Sequence, residues 1–548
     1  MNKILSAIYQ QAIATPKKIA LTDQSRHLTY AELVAQVDEL ANWLVEQNID
    51  RAGLWGENSI EWIIADFAAW KAGITLVPLP RFFSHAQLQH VIAQAQLPCL
   101  LVCGDITKVT DVSERKTTSV AAIYLDTIYT EAMYAEANYP NKIYFKKLIA
   151  DQHSRAINSV AKITFTSGTT GTPKGVCLSS STLENVTLAL AERMYSGINT
   201  IDLSTHLNLL PLSTLLENVA GVYVPLYLGK RVVVLTGATL GLTGSSQLSL
   251  SQLLQALHQY QPNSVIVLPQ ILQGFVAASV QGLALPASLK FIAVGGARTP
   301  ATLIEQARTM KIPVYEGYGL SECASVVSLN SPVADKIGSV GKALNHVDIK
   351  IENGVINVRG NVFSGYLGQT AQIQDEWLDT GDLGYIDDEG FIFITGRKKN
   401  VLISSFGRNI SPEWIEAELS LCRSIGQVMV IGDSQPFCSA IIVPASAEVT
   451  TGHITQDIRR INQHLPDYAR VQKFIIATGP FTPTNQLLTD NGRLRRAAIA
   501  GQYLNAIAAI YSDPQSFSLS HSTQQLTQHL TQQPSAATQQ PGVVYDIL

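Results

Sequence analysis

A short run of hydroxyl-bearing residues and glycines, closed by a lysine, is the strongest candidate for chemistry in this sequence. The lysine is Lys174, and the run before it consists of Thr166, Ser167, Gly168, Thr169, Thr170, Gly171 and Thr172. Glycine lets successive backbone N–H groups turn toward one anion, the hydroxyls add hydrogen-bond donors, and the lysine supplies a positive charge. The pattern therefore predicts a loop that binds a polyphosphate.

This loop differs from a Walker loop, in which the lysine leads directly into a helix. Here Pro173 precedes Lys174, and the residues from Val176 to Leu178 are typical of a strand. A flexible hairpin turn is the alternative interpretation. Plain turns seldom contain so many hydroxyl and glycine residues followed by a lysine, so we favour phosphate binding.

The segment Tyr315–Glu322, with the sequence YEGYGLSE, is a second candidate. Tyr318 lies between two glycines and offers a flat face to a base, while Ser321 and Glu322 place a hydroxyl beside a carboxylate. Proteins hold Mg²⁺ with a carboxylate together with phosphate oxygens. Taken alone, the segment is also compatible with a structural turn.

Two further segments have polar or small residues at positions suited to a nucleotide. Three small residues beginning at Gly295 follow a predicted strand, where a flat ring can approach the backbone closely. Asp382 can accept hydrogen bonds from two ribose hydroxyls. On spacing alone, both segments are equally compatible with ordinary turns.

TSGTTGTPKG, together with YEGYGLSE, resembles the signature of the adenylate-forming (AMP-binding) superfamily, which includes acyl-CoA synthetases, luciferases and peptide-synthetase adenylation domains. The resemblance extends to about residue 512. Glu217 and the Leu-Leu-Thr turn at Leu487 favour the long-chain fatty acid:CoA ligases. The resemblance to the superfamily implies that Glu322 binds the metal. It also implies that the nucleotide is bound by Thr166, Ser167, Gly168, Thr169, Thr170, Gly171, Gly296, Ala297, Tyr318, Gly319, Ser321, Asp382 and Arg397.

The resemblance also assigns roles near the C-terminus. Lys399 corresponds to the hinge between two domains, and the turn at Gly407 to part of the channel for the pantetheine arm of coenzyme A. Arg493 stands where the family has a lysine that bridges the substrate carboxylate and ATP. Arginine keeps the charge but is bulkier, so the exchange is not conservative. The implied catalytic residues are Lys174, Glu322 and Arg493.

An acyl pocket is expected after the Leu-Pro-Leu motif that ends at Leu212. In the family a histidine or an aromatic residue commonly follows, whereas this sequence has Thr214. Ordinary core packing explains such apolar residues equally well. The candidates for the pocket are Leu212, Thr214, Val219, Gly221 and Val222.

The composition limits the class of protein. A chain of 548 residues needs two or more domains, and its net charge of −4 without basic runs argues against nucleic acid as a partner. Its six scattered cysteines suggest no disulfide framework. The longest apolar region is too short to span a bilayer, which leaves peripheral membrane contact open. We expect a cytoplasmic enzyme.

Helices alternate with buried strands, which predicts an α/β fold. Thr29 is expected to cap one helix, and another is expected to end near Gly73. The resemblance implies a large multi-layer N-terminal α/β domain (1–398) that binds ATP and the acyl group, followed by a smaller mobile C-terminal α/β domain (399–512). The Gln/Ser/Thr-rich tail (513–548) is predicted to be disordered.

The predicted reaction is the ATP- and Mg²⁺-dependent conversion of a carboxylic acid to acyl-AMP, with transfer of the acyl group to coenzyme A. A medium- or long-chain fatty acid is the expected substrate. One alternative is a ligase that loads an acyl carrier protein or activates a hydroxy acid for ring closure. Another is a nucleotide-binding scaffold without activity, which only Arg493 supports.

Overall fold

The computed structural model describes residues 2–83, 85–103, 143–147, 160–166, 173–195, 203–243, 247–369, 376–405, 408–489, 492–512 and 544–547. These residues belong to two compact units. The first contains Met1–Thr380 and Ile386–Phe393, and the second contains Gly381–Tyr385 and Ile394–Leu548. Some candidate site residues lie outside the described residues, namely Ser167, Gly168, Thr169, Thr170, Gly171 and Gly407.

A mixed nine-stranded sheet, counted over the described residues, forms one part of the first unit. Its strands are, in spatial order, Lys342–Ala343, Ser328–Leu329, Val314–Tyr318, Phe291–Val294, Ser264–Val267, Thr205–Asn208, Arg231–Val234, Ile19–Thr22 and His27–Thr29. The six strands from Val314–Tyr318 to Ile19–Thr22 are parallel. The loops that follow the carboxyl ends of these strands therefore lie at one edge of the sheet, where α/β proteins commonly bind ligands.

A second sheet of the first unit has seven strands within the described ranges. In spatial order they are Gly365–Tyr366, Lys174–Ser179, Val160–Thr166, Thr75–Leu79, Arg51–Gly56, Cys99–Cys103 and Ile143–Lys147. The strand that ends at Thr166 and the strand that begins at Lys174 are antiparallel, with these two residues opposite each other. The two ends of the predicted phosphate loop are thus held next to each other.

Helices fill the space around both sheets of this unit. They are Lys3–Ala14, Tyr30–Glu46, Ile60–Ala72, His85–Gln94, Ser180–Tyr195, Leu215–Asn218, Val224–Tyr227, Leu250–Tyr260, Pro269–Val280 and Ala301–Thr309, with a π-helical turn at Val219–Tyr223 and a 3₁₀ turn at Ser321–Cys323. One continuous apolar core includes side chains from both sheets, among them Leu21 and Leu54. The remaining strands up to Arg397 are Leu242–Thr243, Gln247–Leu248, Val347–Glu352, Val355–Gly360, Leu378–Ile386 and Ile392–Arg397.

Local sequence signals account for the ends of two of these helices. Thr29 accepts a hydrogen bond from the backbone N–H of Glu32, whose side chain accepts one in return, which is a capping box. The helix Ile60–Ala72 is buried along nearly its whole surface, as its apolar sequence predicts. It stops at Gly73, which has φ 69° in the left-handed region that favours glycine.

The second unit is built around a four-stranded sheet, counted over the described residues. Its strands are Ile425–Ile431, Cys438–Pro444, Val471–Ile476 and Val544–Asp546 in spatial order. Alternate side chains enter two separate apolar clusters, with Val430 in one and Met429 in the other, as expected for a sheet covered on both faces. The other elements are Leu402–Ile403, Asn409–Ile410, Pro412–Leu419, Thr451–Asn462, the 3₁₀ turn Asp467–Ala469, Arg496–Gln502 and Leu504–Ser512.

The prediction of disorder up to residue 548 is wrong for residues 544–547. Val544–Asp546 pairs antiparallel with the strand Val471–Ile476 and becomes an edge strand of the sheet. Ile547 is only 4% exposed, and its carbonyl accepts a hydrogen bond from Arg459 Nε at 2.7 Å. These few apolar residues can order because the sheet of the second unit offers an edge and an apolar surface to cover.

Candidate active site

Lys174 and Glu322, the predicted phosphate and metal residues of the first unit, meet at a third residue, Tyr366. The ammonium of Lys174 lies 5.4 Å from the centroid of the Tyr366 ring. The Tyr366 hydroxyl donates a hydrogen bond of 2.7 Å to Glu322 Oε1. The structure therefore brings the predicted cation and the predicted metal ligand into one location, although they lie far apart in sequence.

Tyr366 belongs to a short segment that contacts both sides of this location. The N–H of Ser364 donates to Cys177 O at 2.8 Å, and that of Leu367 donates to Gly175 O at 2.7 Å. The N–H of Phe363 donates to the backbone carbonyl of Glu322 at 2.7 Å. The segment thus connects the strand that begins at Lys174 with the turn that carries Glu322.

Glu322 lies in a tight turn after the strand Val314–Tyr318. The two residues that follow this 3₁₀ turn, Ala324 and Ser325, have φ values of 53° and 98°, which are uncommon for residues other than glycine. A Cβ added to Gly319 would lie 1.6 Å from Ser325 O, so the backbone passes too closely for a side chain. Backbone strain of this kind is often found at functional sites.

The carboxylate of Glu322 suits a magnesium ion that arrives with phosphate groups. Its Oε1 accepts from Tyr366, and no second partner for the carboxylate is found among the described residues. The described part of the chain also contains no group of three or more His, Cys, Asp or Glu side chains that would hold a metal unaided. Mg²⁺ is commonly bound by one or two carboxylates plus substrate phosphates, which matches this arrangement.

Four of the predicted nucleotide-binding residues come from two neighbouring parallel strands of the nine-stranded sheet. Val294 and Glu316 are paired across these strands, so the residues after them emerge at the same edge. Gly296 has φ 79° and is exposed together with Ala297, while Tyr318 and Ser321 are half-buried on the adjacent strand and turn. The structure places these four residues at the same edge of the sheet.

The candidates for the acyl pocket lie after the strand Thr205–Asn208, at the same edge of the sheet. Leu212, Val219 and Val222 are buried members of the large core. Thr214 is half-buried, and its hydroxyl donates to Pro211 O at 2.6 Å.

Gly221 packs against a buried polar cluster centred on Glu217. A Cβ at Gly221 would lie 2.4 Å from Glu217 Oε1. Glu217 is fully buried and accepts hydrogen bonds from Asn208 Nδ2 at 2.7 Å and from the N–H of Leu210 at 3.0 Å, with His206 Nε2 at 3.2 Å. The carboxylate of Glu217 is therefore hydrogen-bonded to protein groups in the core.

The remaining candidates belong to the second unit. Arg397 Nε lies 2.7 Å from Asp382 Oδ1, so these two predicted nucleotide-binding residues form an ion pair in which Asp382 is buried. Partial burial lowers the pKa of Lys399, and the positive charges of Arg397 and Arg493 lower it further. The backbone N–H of Arg493 donates to Thr489 Oγ1 at 3.0 Å. The charges of Arg397 and Arg493 therefore act on the predicted hinge lysine.

Tyr366 and the partners of Glu217 were not recognised from the sequence. The signal for Tyr366 was weak, because a single tyrosine after Gly365 has no neighbour in sequence that indicates its partner.

Within the described residues, no helix is both long enough and apolar enough to cross a bilayer.

Two protein-family models match most of the chain. The model described as AMP-binding enzyme matches residues 8–367, and the model described as AMP-binding enzyme C-terminal domain matches residues 399–515.

Known proteins resemble the chain over most of their own length. A 2-succinylbenzoate–CoA ligase from Staphylococcus epidermidis is 28% identical over 520 residues, which cover 91% of this chain and 98% of the relative. The long-chain-fatty-acid–CoA ligase FadD15 from Mycobacterium bovis is 25% identical, and the match covers 88% of this chain and 92% of the relative. The structure of o-succinylbenzoate CoA synthetase (MenE) from Bacillus subtilis with ATP and magnesium has a TM-score of 0.68 and 25% identity. The match covers 90% of this chain and 98% of that structure's chain.

These matches confirm the predicted fold of a large and a small α/β domain and the predicted enzyme class, an AMP-forming acid–thiol ligase that uses ATP, Mg²⁺ and coenzyme A. Since the first family model covers well over half of the chain, the protein belongs to the family of AMP-binding enzymes.

Proposed function

We propose that this enzyme links an aromatic carboxylic acid to AMP, releases pyrophosphate, and transfers the acyl group to the thiol of coenzyme A. The observation that supports the first step is the meeting of Lys174 and Glu322 at Tyr366. A carboxylate is a poor acyl donor because oxide would have to leave. Conversion to an acyl adenylate replaces oxide with AMP, which is a good leaving group.

The residues of the site divide the work of adenylation. Glu322 would hold Mg²⁺ together with phosphate oxygens, and this ion would neutralise part of the negative charge of ATP. Lys174 would stabilise the charge that develops on the departing pyrophosphate. For Arg493 we propose the role that the family gives to a lysine, which is to hold the attacking carboxylate in line. Tyr318, Gly296 and Ala297 would bind the adenine.

The relatives and the surroundings of Glu217 favour an aromatic acid over a fatty acid. The 2-succinylbenzoate–CoA ligases are 26–28% identical to the chain, compared with 25% for the long-chain-fatty-acid–CoA ligase. Glu217, which favours a fatty acid in the sequence analysis, is fully buried, and its carboxylate accepts hydrogen bonds from protein groups inside the core. An aromatic acid of the 2-succinylbenzoate class is therefore our first candidate. A fatty acid is the second, supported by the similarity to the long-chain ligase.

The acceptor and the location are also proposals. We favour coenzyme A over a carrier protein because the chain matches CoA ligases over nearly the whole length of those relatives. A cytoplasmic location agrees with six buried cysteines that all keep free thiols. Activation of a hydroxy acid for ring closure and an inactive nucleotide-binding scaffold remain as outcomes of the experiment below.

ATP–pyrophosphate exchange tests the first half-reaction. The purified protein would be assayed with 2-succinylbenzoate, benzoate, anthranilate, octanoate and palmitate, followed by detection of thioester with coenzyme A. We expect exchange that depends on an aromatic acid, together with thioester formation. Exchange with palmitate alone would favour a fatty acid, exchange without thioester would favour another acceptor, and no exchange with any acid would favour the scaffold.

Variants connect the activity to the site. We expect Lys174→Ala and Glu322→Gln to lower the exchange rate by roughly 100-fold or more, as is common when a group that stabilises developing charge is removed. Arg493→Ala should lower the rate more than Arg493→Lys, because lysine keeps the positive charge. Lys290→Ala is the control, since Lys290 is exposed at the amino end of the strand Phe291–Val294. Equal rates for Lys174→Ala and Lys290→Ala would contradict the assignment.

A further inference from the structure

Tyr366 is a half-buried tyrosine on the edge strand of the seven-stranded sheet, and the proposed reaction has no chemical step for it. We propose that Tyr366 is a positioning residue, which orients the Glu322 carboxylate for the metal that accompanies ATP and keeps it next to Lys174. This inference rests on the proposed function, because it concerns the same Mg²⁺–ATP site. Three features of the described residues support it.

The first feature is the direction of the hydrogen bond. The Tyr366 hydroxyl donates to Glu322 Oε1 at 2.7 Å, whereas Oε2 accepts no hydrogen bond from the described residues and can face a metal. A tyrosine phenol is protonated at neutral pH, whereas a carboxylate is not, so the hydroxyl is the donor of this bond. A carboxylate restrained in this way loses less rotational freedom when a metal binds.

The second feature is that Tyr366 is itself held firmly. It pairs with Val176 across the edge of the seven-stranded sheet, and the backbone N–H groups of Ser364 and Leu367 donate to the same neighbouring strand. Its ring packs edge-on against Phe363, with the centroids 4.9 Å apart. A rigid support is needed if one side chain is to fix the orientation of another.

The third feature is the contact with Lys174, whose ammonium lies 5.4 Å from the centroid of the Tyr366 ring. This distance is within the range of cation–π interactions. The ring and the hydroxyl thus serve different partners, since the ring lies against the phosphate lysine and the hydroxyl against the metal ligand. The two roles can be separated by substitution.

Tyr366→Phe removes the hydroxyl and keeps the ring over Lys174. ATP binding would be measured by calorimetry in EDTA and then at a series of Mg²⁺ concentrations. We expect the apparent affinity for Mg²⁺ in the presence of ATP to fall on the order of tenfold, as for loss of a hydrogen bond to a charged group. The affinity for ATP in EDTA should be unchanged. Tyr366→Leu should weaken both, because the ring is lost as well.

A double-mutant cycle with Glu322→Gln distinguishes positioning from general damage. If Tyr366 acts through Glu322, Tyr366→Phe should have no further effect on the Mg²⁺ dependence once Glu322 is replaced. Tyr30→Phe is the matched control, since the Tyr30 hydroxyl donates to Lys230 O at 2.8 Å in the same unit and contacts none of these residues. It should leave the Mg²⁺ dependence unaltered.

The outcomes separate this inference from the proposed function. If the wild-type protein binds ATP with a clear Mg²⁺ dependence and Tyr366→Phe binds identically, the positioning role is overturned and the proposed function stands. An equal loss with and without Mg²⁺, or additive effects in the cycle, would also overturn it. If the wild-type protein shows no Mg²⁺-dependent ATP binding, both are overturned.

Discussion

Lys162 Nζ lies 2.8 Å from Asp66 Oδ1 in the interior of the first unit, where neither side chain is more than 3% exposed. Tyr223 donates to Asp66 Oδ2 at 2.7 Å and accepts from Lys162 at 2.7 Å, and Asn218 Nδ2 donates to Asp66 at 2.8 Å. Lys162 belongs to the strand that ends at Thr166, where the predicted phosphate loop begins. The cluster therefore ties this strand to the helix of Asp66 and to the π-helical turn that ends at Tyr223.

Asp66→Asn should destabilise the first unit strongly, because it leaves the Lys162 ammonium buried without a carboxylate. We expect a loss of about 3–5 kcal/mol in the free energy of unfolding, as for other buried pairs that lose one partner. Urea unfolding followed by fluorescence would measure it. Asp348→Asn breaks an exposed pair with Arg359 and should cost less than about 1 kcal/mol. Similar losses for the two variants would contradict this interpretation of the buried pair.

Glu316 should make stability depend on pH. Burial raises the pKa of Glu316 to about 8 in the folded protein, from an ordinary value of 4.5. Between these values the folded protein keeps a proton that the unfolded chain releases. The contribution of Glu316 to stability is thus fully present below pH 4.5 and is lost as the pH rises to about 8, at roughly 1.4 kcal/mol per pH unit.

Urea unfolding of the wild type and Glu316→Gln at pH 5.5 and pH 7.5 measures this dependence. Glutamine cannot ionise, so the variant should gain stability relative to the wild type as the pH rises. Glu448→Gln, at an exposed position, is the control and should follow the wild type. A constant difference between wild type and Glu316→Gln at both pH values would refute the raised pKa.

Gly319→Ala should disturb the turn that carries Glu322. The new Cβ would lie 1.6 Å from the backbone oxygen of Ser325, which cannot move without shifting the turn. We expect a loss of about 1–3 kcal/mol in the free energy of unfolding and weaker ATP binding in the presence of Mg²⁺. Gly479→Ala is the matched control, because no heavy atom lies within 4 Å of its added Cβ. The two variants would be compared by thermal unfolding and calorimetry, and equal behaviour would argue against a rigid turn.

Ile547→Ala should weaken the second unit. Ile547 is 4% exposed and packs into the apolar cluster that includes Phe474, so truncation leaves a cavity. A loss of about 2–4 kcal/mol is expected for this unit. Ile403→Ala is a control of the same residue type in the same unit, where the side chain is 51% exposed. Hydrogen exchange of the strand Val471–Ile476 would report the effect, and unchanged protection in Ile547→Ala would show that the edge strand adds no stability.

Most of what was predicted correctly depends on residues close together in the sequence. Thr29 and Glu32 form their capping box within one turn of helix, and Gly73 ends its helix by its own backbone conformation. The TSGTTGTPKG run, which indicated the family, is equally local, and its role in phosphate binding stays a prediction. These features could be read without knowledge of the fold.

The contacts that were missed join residues from distant parts of the chain. Tyr366 and Glu322 are separated by 44 positions, and no periodicity or spacing indicates that the hydroxyl of Tyr366 contacts the carboxylate of Glu322. Glu217 illustrates a different difficulty, since an acidic residue suggests a solvent or ligand contact until the fold surrounds it with Asn208 and Leu210.

The amino-acid sequence by itself determined the family and the alternation of helices and strands, and it predicts the phosphate loop and the candidate metal ligand, because each depends on residue types within a few positions of one another. Only the tertiary structure decided that Tyr366 lies between Lys174 and Glu322, that Lys162 is paired with Asp66, and that residues 544–547 form a strand. The physical reason is that burial and long-range pairing depend on which segments the folded chain brings together, and that information is absent from any short stretch of sequence.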